Sequence, residues 1–580
     1  MRFRALTLLV AVLGCGAASA ASPSVATPPD YDVVIRGGTV YDGSGGAAFV
    51  GDVAIRGDRI AYLGPHAPGR SAEEVPARGK AVAPGFINML AHPEESLLID
   101  GRALSDLRQG VTLEVLGEDS MGPLSAEMKR LGRLRQGDIK YDIDWTALGE
   151  YLTRLERRGI APNVASYVGA GTVRTYVLGE RDVQPTPEQL TEMRTLVREA
   201  MEQGALGVTT ALIYAPNDYA RTPELIALAQ ESARCGGIYS AHMRSEGERL
   251  LEAVQETVDI ARASGAPAEI YHLKQAGKRN WGKLDALIQK IDTSRAAGTR
   301  ITADMYVYTA GATGFDAAMP PWVQDGGLEA WIARLKDPAI RARVVQEMRD
   351  PSPSWENLYG AAGPQGTLLL AFKNPALKPL TGKTLAAVAQ MRNESPEDTV
   401  IDLVIEDGSR VGVAYFLMSE DNVRREVALP WVSFDSDADA PAPEGVFLKT
   451  SRHPRTYGNF ARVLAKYVRE EHVITLQEAI RRLSAFPAAT LSLADRGTLR
   501  AGSFADVVIF DPDTIQDHAT YEHPHQLATG LDDVWVNGVR ALRHGEATGA
   551  ASGRAVRGRA WRQATGGGCR RSAADWSWSR

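Results

Sequence analysis

Residues 237–277 read GIYSAHMRSEGERLLEAVQETVDIARASGAPAEIYHLKQAG. Gly237 to His242 is a short apolar run that stops at a histidine, and Ala268 to His272 repeats the arrangement. Between them, from Gly247 to Ala263, apolar residues recur every three or four positions, the spacing of a helix with one buried face. Strand, amphipathic helix and strand in this order make one βαβ unit of a parallel sheet.

The same unit recurs along the chain. Short runs ending in polar residues lie at Ala81 to Met89, Val111 to Leu116, Asn163 to Val168 and Leu206 to Leu212, then at the two just quoted, then at Ile301 to Tyr306 and Val432 to Asp437. Pro187 to Gln203 and Pro223 to Arg234 are further amphipathic stretches. Eight such strands predict an α/β fold, a (β/α)8 TIM barrel. A doubly wound open sheet would carry a Gly-rich phosphate loop after its first strand, and none is seen.

One interval breaks the rhythm. Tyr308 to Trp431 is too long for a helix and two loops, so a lobe is expected at about 312–428, irregular and partly structured, where it could cap the site. At the two ends the texture changes. Asp32 to Leu63, Gly497 to Asp511 and Val534 to Leu542 show short alternating strands with Gly and Asn-Gly turns. They predict a small β-sandwich domain from residues 21–80 and 495–549, flanking a barrel domain at 81–494. The Gly-, Arg- and Ser-rich tail at 550–580 is expected to be disordered.

Composition narrows the function. The chain has 580 residues, 44% hydrophobic and 23% charged, with a net charge of -6 and no basic stripe interleaved with aromatics, which argues against nucleic acid as a partner. Residues 1–20, with Arg2 and Arg4, an apolar run to Leu13 and small residues up to Ala20, read as a signal peptide for export to the periplasm or medium. The apolar run is shorter than the roughly 20 residues that span a bilayer. Val12 to Cys15 leaves lipid attachment at Cys15 open. With only three cysteines, Cys15, Cys235 and Cys569, no disulfide framework or Cys-rich zinc site is expected. Any metal must therefore rest on histidines and carboxylates.

In a barrel of this type the reactive groups stand at the carboxyl ends of the strands. Those ends offer His92, then Glu118 and Asp119, then His242, His272 with Lys274, Tyr306 with Tyr308, and Asp437. Two imidazoles on consecutive strands and a carboxylate on the last suit a hydrolytic zinc site with an open position for water.

On these residues the chain resembles the N-acyl-D-amino-acid deacylases (D-aminoacylases) of the amidohydrolase superfamily. The motifs are AHMRSEG (241–247), YHLKQAG (271–277), VSFDSDA (432–438), HPRTYG (453–458) and DRGTLRAGSFADVVIFDP (495–512), and the likeness runs from about Asp32 to Gly549. The resemblance implies a metal-dependent hydrolase that cleaves the amide of N-acyl-D-amino acids. It makes His242 and His272 metal ligands and Asp437 the proton-transferring residue. Lys274, Arg455 and one of Tyr306 or Tyr308, with Tyr306 preferred, would bind the substrate carboxylate, structural ion pairs being the alternative role for Lys274 and Arg455.

The departures are specific. The family's His-x-His pair after the first strand is reduced to Leu90 and His92, so a second metal is doubtful and His92 is either a ligand or a neighbour of one. The family's bridging cysteine is replaced by Glu118 or Asp119, with Glu118 preferred. A carboxylate there would admit divalent metals besides one tightly bound Zn²⁺. Asp435 is expected to raise the pKa of Asp437 by like-charge repulsion. Two other functions fit the same residues: hydrolysis of another amide, a dipeptide, a cyclic amide or a lactone, and a non-catalytic exported binding protein on a degenerate barrel. Oligomeric state is not legible.

Overall fold

A computed structural model of the chain describes residues 28–118, 121–350, 354–563 and 569. The export signal, Cys15 and Asp119 lie outside the described residues.

The middle of the chain forms the barrel. Its first three strands are Phe86–Ala91, Val111–Leu116 and a third in two pieces, Asn163–Ser166 and Val168–Gly169. Gly207–Ala211, Ile238–His242, Ala268–Ile270 and Ile301–Ala303 follow, each paired in parallel with its neighbour. Residues 432–437 complete the ring: Ser433 N–H donates to Ala303 O at 2.8 Å and Asp437 N–H to Leu90 O at 3.0 Å. The strand residues are buried on both faces, as a barrel wrapped in helices requires.

The helix expected between the two histidine-ending strands is Leu250–Ser264. Leu250, Ala253, Val254, Thr257, Val258 and Ala261 form its buried stripe, with Gly265 in the left-handed conformation (φ 77°) ending it. Burial of each larger aliphatic side chain in that stripe contributes roughly 1.5–3 kcal/mol.

The first strand differs from expectation. Ala81 to Met89 is not one barrel strand, because Ala81–Pro84 pairs with Val507–Phe510 and with Tyr31–Val40 in another sheet. The chain changes sheets at Gly85, where a Cβ would lie 2.1 Å from Thr112 Oγ1. A continuous apolar run carries no mark of that transfer.

The second sheet has nine strands drawn from both chain ends, with Tyr31–Val40 forking to pair with Phe49–Arg56, Ser71–Pro76 and Ala81–Pro84. Ile35, Val53, Ile55, Val507, Ile509 and Trp535 share its separate core. The expected β-domain is therefore built as predicted from the two termini.

The lobe between the last two barrel strands is more regular than its prolines suggest. It holds a three-stranded antiparallel sheet of Ala310–Gly314, Gly412–Phe416 and Thr367–Ala371, with helices including Pro338–Met348 and Pro396–Asp407. Both prolines stand at the first helical position, where their missing N–H costs nothing.

The tail is also ordered as far as residue 563. Val556 N–H donates to Val164 O, Ala555 bridges Val164, and Arg559–Gln563 forms a short 3-10 helix. This corrects the expected disorder at its start: local Gly and Arg content does not register docking against a barrel edge. Cys235 and Cys569 are joined in one disulfide across 334 residues. The absence of a multi-bridge framework thus still allowed a single bond. Among the described residues no helix is long and apolar enough to cross a membrane.

Candidate active site

The strand ends converge as the barrel geometry demands. Glu118 follows the second strand, His242 ends the fifth and His272 follows the sixth. Glu118 Oε1 lies 3.0 Å from His242 Nδ1 and 3.0 Å from His272 Nε2. Among the described residues this is the one cluster of His, Cys, Asp or Glu whose donor atoms could share a metal ion.

Three residues of the site adopt left-handed backbone conformations that side chains normally avoid: Glu118 (φ 55°), His272 (φ 38°) and Asp437 (φ 45°). Such residues cost on the order of 1–3 kcal/mol each and persist where surrounding contacts over-determine them. Here the contacts are visible for two: His272 N–H donates to Asp304 Oδ1 at 2.5 Å, and Asp437 N–H to Leu90 O.

The charges around the cluster select a cation. Burial and Lys274 oppose protonation of His272, yet Glu246, Asp437 and Glu118 lift it to about 10. Burial would likewise raise Glu118, but hydrogen bonds from His242 and His272 hold it well below its ordinary value. The space between Glu118 and the two rings therefore attracts positive charge, for which a divalent ion competes with the proton. Neutral imidazoles and a carboxylate are the donor set that zinc takes, so the residues present fit such an ion.

Glu246 was not anticipated. It is buried, 2.7 Å from Lys274 Nζ and 3.0 Å from His272 Nδ1. Its sequence signal was available: a buried Lys274 requires a counter-charge, and Glu246 lies in the same AHMRSEG motif as His242.

Asp437 stands beside the cluster. Its Oδ1 is 3.1 Å from His92 Nε2 and its Oδ2 2.8 Å from Arg455 Nη1. Burial would raise this carboxyl, but Arg455 and His272 charge and the His92 hydrogen bond hold it at about 2. The expected upward push from Asp435 is overruled. Asp435 itself is driven well above its ordinary value, by burial first and then by Asp304 and Asp437. The repulsion falls on Asp435 rather than on Asp437, whose anion Arg455 and His92 stabilise.

His92 belongs to this pair rather than to the Glu118–His242–His272 cluster. Burial lowers its proton affinity, but Asp437, Glu118 and Glu94 together raise it to about 9.

A cavity of about 790 Å³ opens over these groups, lined by His92, Tyr306, Asp437, Lys274 and Arg455 among others. Tyr306 lines it whereas Tyr308 does not, which separates the two candidates. The Tyr306 hydroxyl and Arg455 Nε are buried without a hydrogen-bond partner among the described residues. Buried orphan donors demand an explanation, and a ligand acceptor is the simplest. Lys274 sits 5.5 Å and the Arg455 guanidinium 4.4 Å from the Tyr306 ring centre, so all three face one small volume. Lys274 and Arg455 both also make the structural ion pairs that were the alternative to substrate binding, with Glu246 and Asp437.

The lobe supplies the far wall. Arg410 pairs with Asp316 at 2.7 Å and lies 5.1 Å over Tyr214, whose ring meets His242 edge-on at 5.3 Å. Leu358 and Phe372 line the same cavity. The lobe thus reaches the site, as a cap would.

Behind Lys274, Gln275 donates at 2.8 Å to Glu426, a buried carboxyl that desolvation pushes to about 8. A carboxyl raised in the folded state costs stability as pH climbs from its unfolded value of 4.5 toward about 8, and no further above that. Glu426→Gln should therefore be more stable than the parent at pH 8, by on the order of a few kcal/mol and with a higher melting temperature, and converge with it near pH 4.5. Equal melting temperatures at both pH values would contradict this.

Comparison with known proteins agrees with the geometry. A family model described as the amidohydrolase family matches residues 73–541. The D-aminoacylase of Alcaligenes xylosoxydans xylosoxydans is 32% identical over 91% of this chain and 97% of its own. The N-acyl-D-aspartate deacylase of the same organism is 32% identical over 90% of this chain and 94% of its own. Among solved structures, a D-aminoacylase said to define a novel subset of amidohydrolases superposes with a TM-score of 0.75 at 30% identity, covering 90% of this chain and 99% of that one. The N-acyl-D-glutamate deacylase of Bordetella bronchiseptica, complexed with zinc and a phosphonate inhibitor, gives 0.74 at 27% identity over 91% and 99%.

Proposed function

This chain belongs to the amidohydrolase family, among the N-acyl-D-amino-acid deacylases, and from that premise we propose that it hydrolyses the amide bond of N-acyl-D-amino acids to a carboxylic acid and a free amino acid. The observation that carries the reading is the convergence of His242 and His272 on one Glu118 oxygen, with Asp437 in the same cavity.

Glu118, His242 and His272 would hold one divalent ion, zinc being the natural occupant of that donor set. Such an ion supplies Lewis-acid activation of water and of the scissile carbonyl. The protein's own groups do the rest. Asp437, an ionised carboxylate at neutral pH, accepts the proton of the attacking water and delivers it to the departing amine nitrogen. Arg455, Lys274 and Tyr306 bind the substrate carboxylate through the donors that face the cavity. Arg455 touches Asp437 as well, so recognition of the carboxylate and orientation of the proton carrier rest on one guanidinium. The barrel mouth and the lobe form the walls of the site.

Amine release from N-acetyl-D-methionine and its L-enantiomer tests the reading. Turnover confined to the D-substrate supports it, and no release from either enantiomer by zinc-loaded protein contradicts it. Arg455→Lys, which replaces a planar fork by a point charge, should raise KM roughly 10- to 100-fold. An unchanged KM would remove Arg455 from the carboxylate site.

We also propose export. The leader-like residues 1–20 support it, as does the Cys235–Cys569 bond, a feature at home in oxidising compartments. A mature N-terminus at Ala21 is the expected result, and full-length protein confined to the cytosol would contradict it.

A further inference from the structure

Arg455 does not hold itself in place. It begins the helix Arg455–Arg462, and its backbone N–H donates to His453 Nδ1 at 3.0 Å. An imidazole that accepts at Nδ1 must carry its proton at Nε2, and that nitrogen is 2.9 Å from the carbonyl oxygen of Ala310, the first residue of the lobe sheet. The tautomer follows from the hydrogen-bond pattern.

The His453 ring is buried and packs edge-on against Tyr306 at 6.1 Å. A fourth element completes the arrangement. Tyr521, from the segment that leaves the β-domain at 516–529, places its hydroxyl 3.2 Å from His453 Nε2 and its ring 4.6 Å from Phe416 of the lobe. The same segment is anchored by His525, which accepts from the Tyr457 hydroxyl at 3.1 Å and donates to Thr450 O at 2.9 Å. His453 thus fixes the backbone from which the Arg455 side chain extends and packs against the Tyr306 ring, so both groups in the carboxylate clamp depend on one neighbour.

We propose that His453, locked as its neutral Nε2–H tautomer between Arg455, Ala310 and Tyr521, is a positioning residue that aims Arg455 and Tyr306 at the substrate carboxylate, with Tyr521 carrying that control from the C-terminal β-domain. This rests on the carboxylate-binding role given to Arg455 and Tyr306 above. Burial and the Arg455 charge keep the ring neutral, in agreement with the tautomer.

The test is kinetic, with a spectroscopic partner. His453→Leu removes all three hydrogen bonds of the ring; His453→Asn keeps an acceptor near Nδ1. With zinc content and melting temperature matched to the parent, His453→Leu should raise KM for N-acetyl-D-methionine at least tenfold with a smaller change in kcat. His453→Asn should recover most of the loss, and Tyr521→Phe should raise KM a few-fold. A folded, zinc-loaded His453→Leu with unchanged KM overturns the proposal, and so does an equal loss in Leu and Asn variants. Should His453→Leu fail to fold, Tyr521→Phe with unchanged KM does the same. Independently of any substrate, ¹⁵N imidazole spectra of the zinc-loaded protein at pH 7 should show His453 as the neutral Nε2–H form; an Nδ1–H form or a cation also overturns it. An inactive parent with the expected spectrum would contradict the deacylase reading and leave the imidazole geometry standing.

Discussion

Asp437→Asn is expected to lower kcat by roughly a hundred- to ten-thousand-fold while leaving the bound metal in place. The amide keeps the size and, through its one oxygen, the contact to Arg455, but it cannot take a proton, and its NH2 can pair with His92 only when that imidazole is neutral. Geometry singles out this residue: its backbone is held in a left-handed turn by Leu90 O, and its two oxygens are aimed by a cation on each side. Glu118, Glu246, Asp304 and Asp435 are the neighbouring carboxyls. Glu118 is engaged by two imidazoles, Glu246 by Lys274, and Asp304 and Asp435 are driven toward protonation. Measured kcat, with zinc determined on the same sample, decides the matter; full activity would move the proton-transfer role elsewhere.

Glu118→Gln should have the other large effect, by a different route. Removing the shared carboxylate leaves two buried imidazoles with a neutral partner, and metal affinity should fall by more than the roughly 10- to 100-fold typical of losing a group one step behind the ligands. Activity should collapse at limiting zinc and return in part at excess. Asp119→Asn is the control, since Asp119 is the other carboxylate that could stand in for the family's bridging cysteine; it should bind zinc like the parent. The reverse result would exchange the two assignments. The contrast with Asp437→Asn is diagnostic, because one variant loses turnover with metal bound and the other loses the metal.

Much of this site was readable from strand ends. A barrel places whatever follows each strand at one rim, so His242, His272 and Asp437 could be grouped before any coordinate was known. What escaped the reading were relations between groups. Glu246 lies in a motif that was noticed, but its contact with Lys274 spans two loops. Asp435 was recognised as a second acid, yet which carboxyl yields depends on where Arg455 and His92 sit, and that is tertiary information. His453 was one residue of a motif whose arginine drew attention; its link to Ala310 and Tyr521 joins three distant parts of the chain.

The fold shows the same division. Val111–Leu116 was located closely because a continuous apolar run stops at polar residues, and the Leu250–Ser264 helix because its burial is local and one-sided. The same pattern merged Ala81–Pro84 with the first barrel strand because both pieces are apolar and buried, in different sheets. The start of the tail was misread for a related reason: Ala555 and Val556 gain order from Val164, nearly four hundred residues earlier.

Amide hydrolysis by this chain should require one divalent ion, held by Glu118, His242 and His272. The most direct test of that requirement is release of free amine from N-acetyl-D-methionine by protein stripped with chelator and then titrated with zinc. No turnover is expected in the stripped protein, with recovery that saturates at one zinc per chain. Undiminished turnover by metal-free protein would contradict it.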